Sequence, residues 1–390
     1  MAKTQRLLQL GQRIRVLIVA GSVVTRQLIR RALESDSVLD IVGVAASASI
    51  ALAKIAQLKP DVVALDIEMP EDDGLDTLRR IRRDHTEVRV IMFSALTERG
   101  ASATLEALAL GAADYVTNSP NHSLRQLRGE LVPKIKQFFA IPENRESKFS
   151  ASPAMCLLNR PSLTAASAPA VVVLGISTGG PAALARILPH LPDDFPLPFL
   201  IVQHMPPLFT KLLADRLNDT CALSVREAVD GALIEPGVVL IAPGDFHMRV
   251  VTKGAEGAGR EVRIKLDQTP PENSCRPAVD VLFASVAEVF GCKVLAAVLT
   301  GMGRDGRRGA ALLKAKGASI IAQDEASSIV WGMPGSVVQD GLADVVLPLD
   351  EIYGEIIARA SGNKLTSRRP TPIPELDFFT GRTNEAMCPR

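Results

Sequence analysis

Cysteine is scarce. Cys156, Cys221, Cys275, Cys292 and Cys388 are five in number, scattered, and form no C-x-x-C pair. This excludes a structural zinc ribbon and a disulfide framework, and fits free thiols in a reducing compartment. Aromatic residues make up 4% of the chain, with one tryptophan, so a stacking platform for single-stranded nucleic acid is not expected. Neither sign of charge dominates: the formal net charge is +1, which gives no bulk attraction to nucleic acid or an anionic membrane. No long apolar run occurs. RVLIVAG, starting at Arg15, is too short to span a bilayer or form a signal-peptide core. The expectation is a cytoplasmic protein with no membrane insertion.

What is present is a globular balance, 47% apolar and 22% charged, over 390 residues, enough for two domains with linkers. From Arg13 to Ala140, strand-like runs (RVLIV, IVGVA, VVALD, VRVIMFS, ADYVT) alternate with helix-like runs. Such alternation predicts a five-stranded, doubly wound parallel sheet. Residues 1–12 read as a loose start. Residues 141–169, rich in Pro, Ser and Ala, read as a linker. A second α/β alternation fills 170–360 and predicts a parallel sheet, with the Gly/Pro-punctuated middle (223–266) forming a small antiparallel extension. Residues 361–390 read as a disordered polar tail.

The second domain centres on Val171–Gly180, VVVLGISTGG, a buried strand, a glycine turn and then a helix opened by Pro181. Ser177 sits in that turn within G-x-S-x-G, beside a helix N-terminus that suits a developing oxyanion. The same pattern describes turns that bind phosphate. Two further polar groups end strand-like runs: His204 after FLIVQ and Asp305 in TGMGRDG after VLAAV. In a parallel sheet all three fall along one carboxyl edge. A hydroxyl needs a base, imidazole is suited to that task, and a carboxylate fixes its tautomer. Of the five histidines, only His204 ends a buried-looking parallel strand; His247 begins a strand of the extension. Asp305 is also readable as a helix N-cap. Gly301, Gly303 and Gly306 spell a dinucleotide-type G-x-G-x-x-G, but Asp305 would stand where pyrophosphate approaches.

DIEMPEDDGLD from Asp66, Ser94 and ALGAADYVT resemble the response-regulator receiver domain. The resemblance implies that Asp66 accepts a phosphoryl group, assisted by an acidic pair that holds Mg²⁺ and by a lysine. Here Ala20 and Gly21 occupy the acidic positions and Asn118 the lysine position. Neither alanine nor glycine offers a side-chain oxygen to a hard cation. A degenerate receiver follows, one that keeps the fold and docking surface but is a poor phosphoryl acceptor.

GISTGGP, IVQHMP, APGDFHM, CRPAVDVLF, LTGMGRDG and AQDEASSIVWGMP resemble the catalytic domain of the chemotaxis protein-glutamate methylesterase family. The resemblance implies hydrolysis of γ-glutamyl methyl esters and deamidation of glutamines on chemoreceptor cytoplasmic helices. It makes Ser177 the nucleophile, His204 the base and Asp305 the orienting carboxylate. The N–H groups of Thr178 and Met302 are oxyanion-hole candidates from their turn positions. No metal or organic cofactor is called for. Methylated receptor helices and a chemotaxis histidine kinase are the implied partners. Arg276 is readable as a contact for an acidic receptor surface or as an internal ion-pair partner, the latter preferred. The alternative is a non-catalytic adaptor docking to receptor or kinase.

Overall fold

The computed structural model describes residues 6–7, 12–69, 73–118, 123–140, 168–254 and 261–361. The front half comprises β1 (Arg6–Leu7), β2 (Ile14–Val19), α1 (Val23–Glu34), β3 (Leu39–Ala45), α2 (Ala48–Leu58), β4 (Val62–Asp66) and α3 (Gly74–Asp84). It continues through β5 (Arg89–Ala95), α4 (Glu98–Ala109), β6 (Asp114–Asn118), α5 (Leu124–Lys136) and β7 (Phe139–Ala140). Five strands pair in parallel in the order β3-β2-β4-β5-β6. The strands are apolar on both faces because helices cover both; Val62, Val63, Ala64 and Leu65 are all fully buried. Residues 6 and 7, expected in a loose start, instead pair in parallel with Phe139 and Ala140.

The second half comprises β8 (Val171–Ile176), α6 (Gly180–Ile187), β9 (Phe199–Gln203), α7 (Phe209–Asn218), β10 (Ser224–Glu227), β11 (Val238–Ile241), β12 (His247–Lys253) and β13 (Glu261–Asp267). There follow α8 (Val279–Phe290), β14 (Val294–Val298), α9 (Arg307–Ala315), β15 (Ser319–Gln323), α10 (Met333–Gln339), β16 (Val345–Leu347) and α11 (Leu349–Ala360). Seven strands form a parallel sheet in the order β10-β11-β9-β8-β14-β15-β16, and β12 and β13 form an antiparallel pair. The expected antiparallel middle is therefore smaller than 223–266. Within it, β10 and β11 join the main sheet as its edge, since the chain returns through β11 beside β9. The linker residues 141–167 and the tail residues 362–390 lie outside the described residues. Among the described residues, no helix is long and apolar enough to cross a membrane.

The halves share a continuous apolar core. Leu105, Leu108 and Tyr115 of the front pack in one cluster with Phe209, Leu213 and Ile176 of the back. Tyr115 and Phe209 stack with ring centroids 5.0 Å apart. Val330 of the back packs among front residues that include Val116 and Phe138.

Candidate active site

Strands β9, β8 and β14 are neighbours, so the residues that follow them meet at the centre of the sheet's carboxyl edge. Ser177 follows β8, and its N–H donates to Thr300 O beyond β14 (3.0 Å). His204 follows β9, with its N–H donated to Ile176 O (3.1 Å). Gln203, fully buried, ties the two turns together by donating from Nε2 to Ser177 O (3.0 Å) and His204 O (3.3 Å). Glycine is required where the serine and aspartate turns touch. A Cβ on Gly301 would lie 2.8 Å from Ser177 Cβ and 2.4 Å from Met333 Sδ, distances no side chain tolerates.

The imidazole of His204 donates from Nε2 to Asp305 Oδ2 at 2.8 Å; the aspartate side chain is 2% exposed and the histidine 12%. The same carboxylate accepts from Val279 N (2.6 Å), Asp280 N (3.0 Å), Gly306 N (3.0 Å) and Asn273 Nδ2 (2.8 Å). Burial opposes its charge, but the His204 hydrogen bond and these N–H donors outweigh it and hold Asp305 below the usual carboxylate range. Burial likewise disfavours the His204 cation, yet the hydrogen bond to Asp305 and the contact with Cys275 raise its pKa above the ordinary value. With Nε2 held by Asp305, Nδ1 is the nitrogen left to take a proton. It meets Cys275 Sγ at 3.6 Å. Among the described residues, Ser177 Oγ is not a hydrogen-bond partner of the imidazole. The two share one cavity of about 700 Å³ instead. His247, the other back-half strand histidine, is buried away from this site with Nε2 facing Pro270 O (3.2 Å). Thr178 and Met302 line the cavity with Ser177. Arg276 pairs internally with Asp245 and donates to Gln268 O and Thr269 O.

Leu108, Asp114, Tyr115, Glu130 and Lys134 of the front half form the opposite wall of this cavity. The α5 side of that wall starts from a capping box, Ser123 with Gln126. Hydrogen bonds cross directly to the turn that carries Ser177: Thr178 Oγ1 donates to Asp114 Oδ2 at 2.8 Å and, at longer range, to Gln137 Oε1 at 3.5 Å. Asp114 is also held by Lys134 Nζ (3.3 Å) and Gln137 Nε2 (3.2 Å). The sequence reading missed Asp114, Gln203 and Asn273. ADYVT reads as an ordinary strand, Gln203 as the polar end of one, and Asn273 lies in a loop with no pattern of its own.

Asp66 ends β4, with its Oδ1 accepting from Glu68 N (3.3 Å). Burial raises its pKa to about 6, with a smaller push from Glu68. Ser94 is buried and donates to Gly100 O at 2.9 Å. At the end of β2, Arg26 Nη1 donates to Ala20 O (2.5 Å) and Gly21 O (2.8 Å). Among the described residues, no cluster of three or more His, Cys, Asp or Glu side chains is placed to hold a metal ion.

Comparison with known proteins agrees with this architecture. Residues 172–356 match the CheB methylesterase family, and residues 16–125 match the response regulator receiver domain. A protein-glutamate methylesterase/protein-glutamine glutaminase of Trichodesmium erythraeum is 47% identical over 354 residues, covering 89% of this chain and 99% of that protein. One from a Nocardioides species is 47% identical, covering 93% and 98%. The crystal structure of the Thermotoga maritima CheB methylesterase catalytic domain is 47% identical, covers 48% of this chain and 97% of that one, and has a TM-score of 0.46. The chain belongs to the protein-glutamate methylesterase/protein-glutamine glutaminase family, with a receiver domain ahead of its CheB methylesterase domain.

Proposed function

We propose that Ser177, His204 and Asp305 hydrolyse glutamate γ-methyl esters, and deamidate glutamines, on the cytoplasmic helices of chemoreceptors. The observation that carries this reading is the buried His204–Asp305 hydrogen bond opening into the cavity that Ser177 lines. Ser177 Oγ attacks the side-chain carbonyl and its proton passes to His204 Nδ1. Asp305, ionised, stabilises the imidazolium. The N–H groups of Thr178 and Met302 receive the developing oxyanion. His204 returns the proton to the departing methoxide or amine, releasing methanol or ammonia. Water then cleaves the acyl-enzyme by the same path in reverse.

A receptor helix is 10–12 Å across with its side chains, and the front half stands where it would dock. In this reading the structure is the covered form: the front domain must move for a protein substrate to reach Ser177, whereas a small ester needs no such motion. With Ala20 and Gly21 in the acidic positions, phosphorylation of Asp66 is a weak release signal. The test is methanol release from methylated receptor membranes. Ser177→Ala should lower it at least about 10³-fold. Equal release by both proteins would sink the enzyme reading and leave the adaptor.

A further inference from the structure

Behind the catalytic carboxylate lies a second one. Asp280, at the start of α8, is 4% exposed, and its Oδ1 accepts from Gly309 N at 2.7 Å. Between the two acids stands Asn273. Its Nδ2 donates to Asp305 Oδ1 at 2.8 Å and to Asp280 Oδ2 at 2.9 Å. Both neighbours are acceptors, so the amide nitrogen, with its two hydrogens, must face them; the oxygen there would repel both.

The chain is bent to place this amide. Glu272 N donates to Cys275 O (3.0 Å) and Cys275 N to Glu272 O (2.8 Å). The two central residues, Asn273 and Ser274, have φ of 52° and 64°. Two consecutive left-handed residues inside a reciprocal hydrogen-bonded pair are the signature of a type I′ turn. The same turn carries Cys275 to His204 Nδ1. Left-handed backbone is unfavourable for serine and only tolerated by asparagine, so the turn is held against local preference.

We propose that Asn273 is a positioning residue of the hydrolase: one amide bridges Asp305 to Asp280, fixes the carboxylate that orients His204, and screens it from the second buried acid. This rests on the Ser177–His204–Asp305 reading. The charged and titratable groups facing the pair are His204 after β9, Cys275 and Glu272 of the turn, and Arg308 of α9, whose Nε lies 3.4 Å from Asp280 Oδ2. Arg249 of β12 lines the neighbouring cleft with Asp280, but it is engaged by Asp267. None of these replaces a donor lying between the two carboxylates.

Removing the amide leaves Asp305 one donor short and exposed to the charge of Asp280. The His204–Asp305 pair then binds its proton more tightly, so the base is freed only at higher pH. The experiment measures methanol release by the full chain from methylated receptor membranes across pH, for wild type, Asn273→Ala, Asn273→Ala/Asp280→Asn and Ser177→Ala. Asn273→Ala should lower kcat/KM at neutral pH by about 10- to 100-fold and move the acid limb of the profile up by about one pH unit. Adding Asp280→Asn removes the second charge and should move that limb back. A loss of rate with an unmoved limb would mean a merely structural turn and overturn the proposal, as would a limb that the double variant fails to restore. Activity persisting in Ser177→Ala would overturn the underlying reading instead.

Discussion

The hydrogen bond from Thr178 to Asp114 offers a direct way to uncover the site. Both residues are buried, at 7% and 5% exposure, and theirs is the shorter of two hydrogen bonds from Thr178 Oγ1 to the front domain, the other reaching Gln137 Oε1 at 3.5 Å. A hydrogen bond to a buried charged group contributes about 1.5–3 kcal/mol. In the covered-form reading proposed above, replacing Asp114 with alanine removes that bond from the covered form, whereas its contacts with Lys134 and Gln137 are lost from the covered and open forms alike. While the covered form still dominates, the open fraction should rise by about 10- to 150-fold, and receptor methanol release with it. The stacking of Tyr115 on Phe209 remains, so the domains keep a residual attraction. Thr178→Val tests the same bond from the other side while preserving the Thr178 N–H. It leaves Asp114 its contacts with Lys134 and Gln137. Both variants should accelerate turnover of methylated receptor membranes while barely changing turnover of a small ester such as p-nitrophenyl acetate, which fits the cavity of about 700 Å³ without any opening. The double variant should gain no more than the larger single gain. Receptor turnover within twofold of wild type in both variants would refute the reasoning.

The pH profile should follow His204. With His204 as the proposed base, its raised pKa means that the neutral imidazole appears only as pH rises past the ordinary histidine value of about 6.5. Turnover should therefore climb from neutral into alkaline pH. Asp305→Asn should move that limb downward while reducing kcat by about 10⁴-fold, and a wild-type limb at or below pH 6 would contradict this. Asp66 has a folded pKa of about 6 against an ordinary 3.8, so its favourable contribution exists at low pH and is lost as pH rises through about 6. Asp66→Asn should stabilise the chain at pH 7.5 by at most about 3 kcal/mol, with the gain vanishing by pH 4 in urea titrations. Incubation with a small phosphodonor and Mg²⁺ should label Asp66 slowly and substoichiometrically by intact-mass measurement; rapid complete labelling would show that Ala20 and Gly21 do not cripple the acceptor.

The sheet edge was legible because parallel strands leave a plain record. VVVLG, FLIV and VLAAV are unbroken apolar runs, and each is followed within two to seven residues by Ser177, His204 or Asp305. A parallel sheet brings such endings together whatever their separation along the chain, here 101 residues between His204 and Asp305. The strand pattern alone did not say which runs were neighbours. It also misassigned β10 and β11, whose flanking Gly and Pro turns read like those of hairpins although the strands extend the parallel sheet.

The front domain's hold on the site was not legible, for a physical reason. Asp114 and Tyr115 occupy a strand whose alternation is satisfied by its own domain's core, so nothing in that pattern marks their contacts with Thr178 and Phe209. Asn273 was hidden differently. A left-handed turn usually announces itself through glycine, and ENSC contains none, since the amide is needed where glycine would have been easiest for the backbone. The strain is tolerated because the turn's side chains reach two buried acids and the His204 imidazole at once. A segment that looks like an ordinary polar loop can therefore carry the groups that set the charge of the site, and only the positive φ angles and the facing carboxylates reveal it.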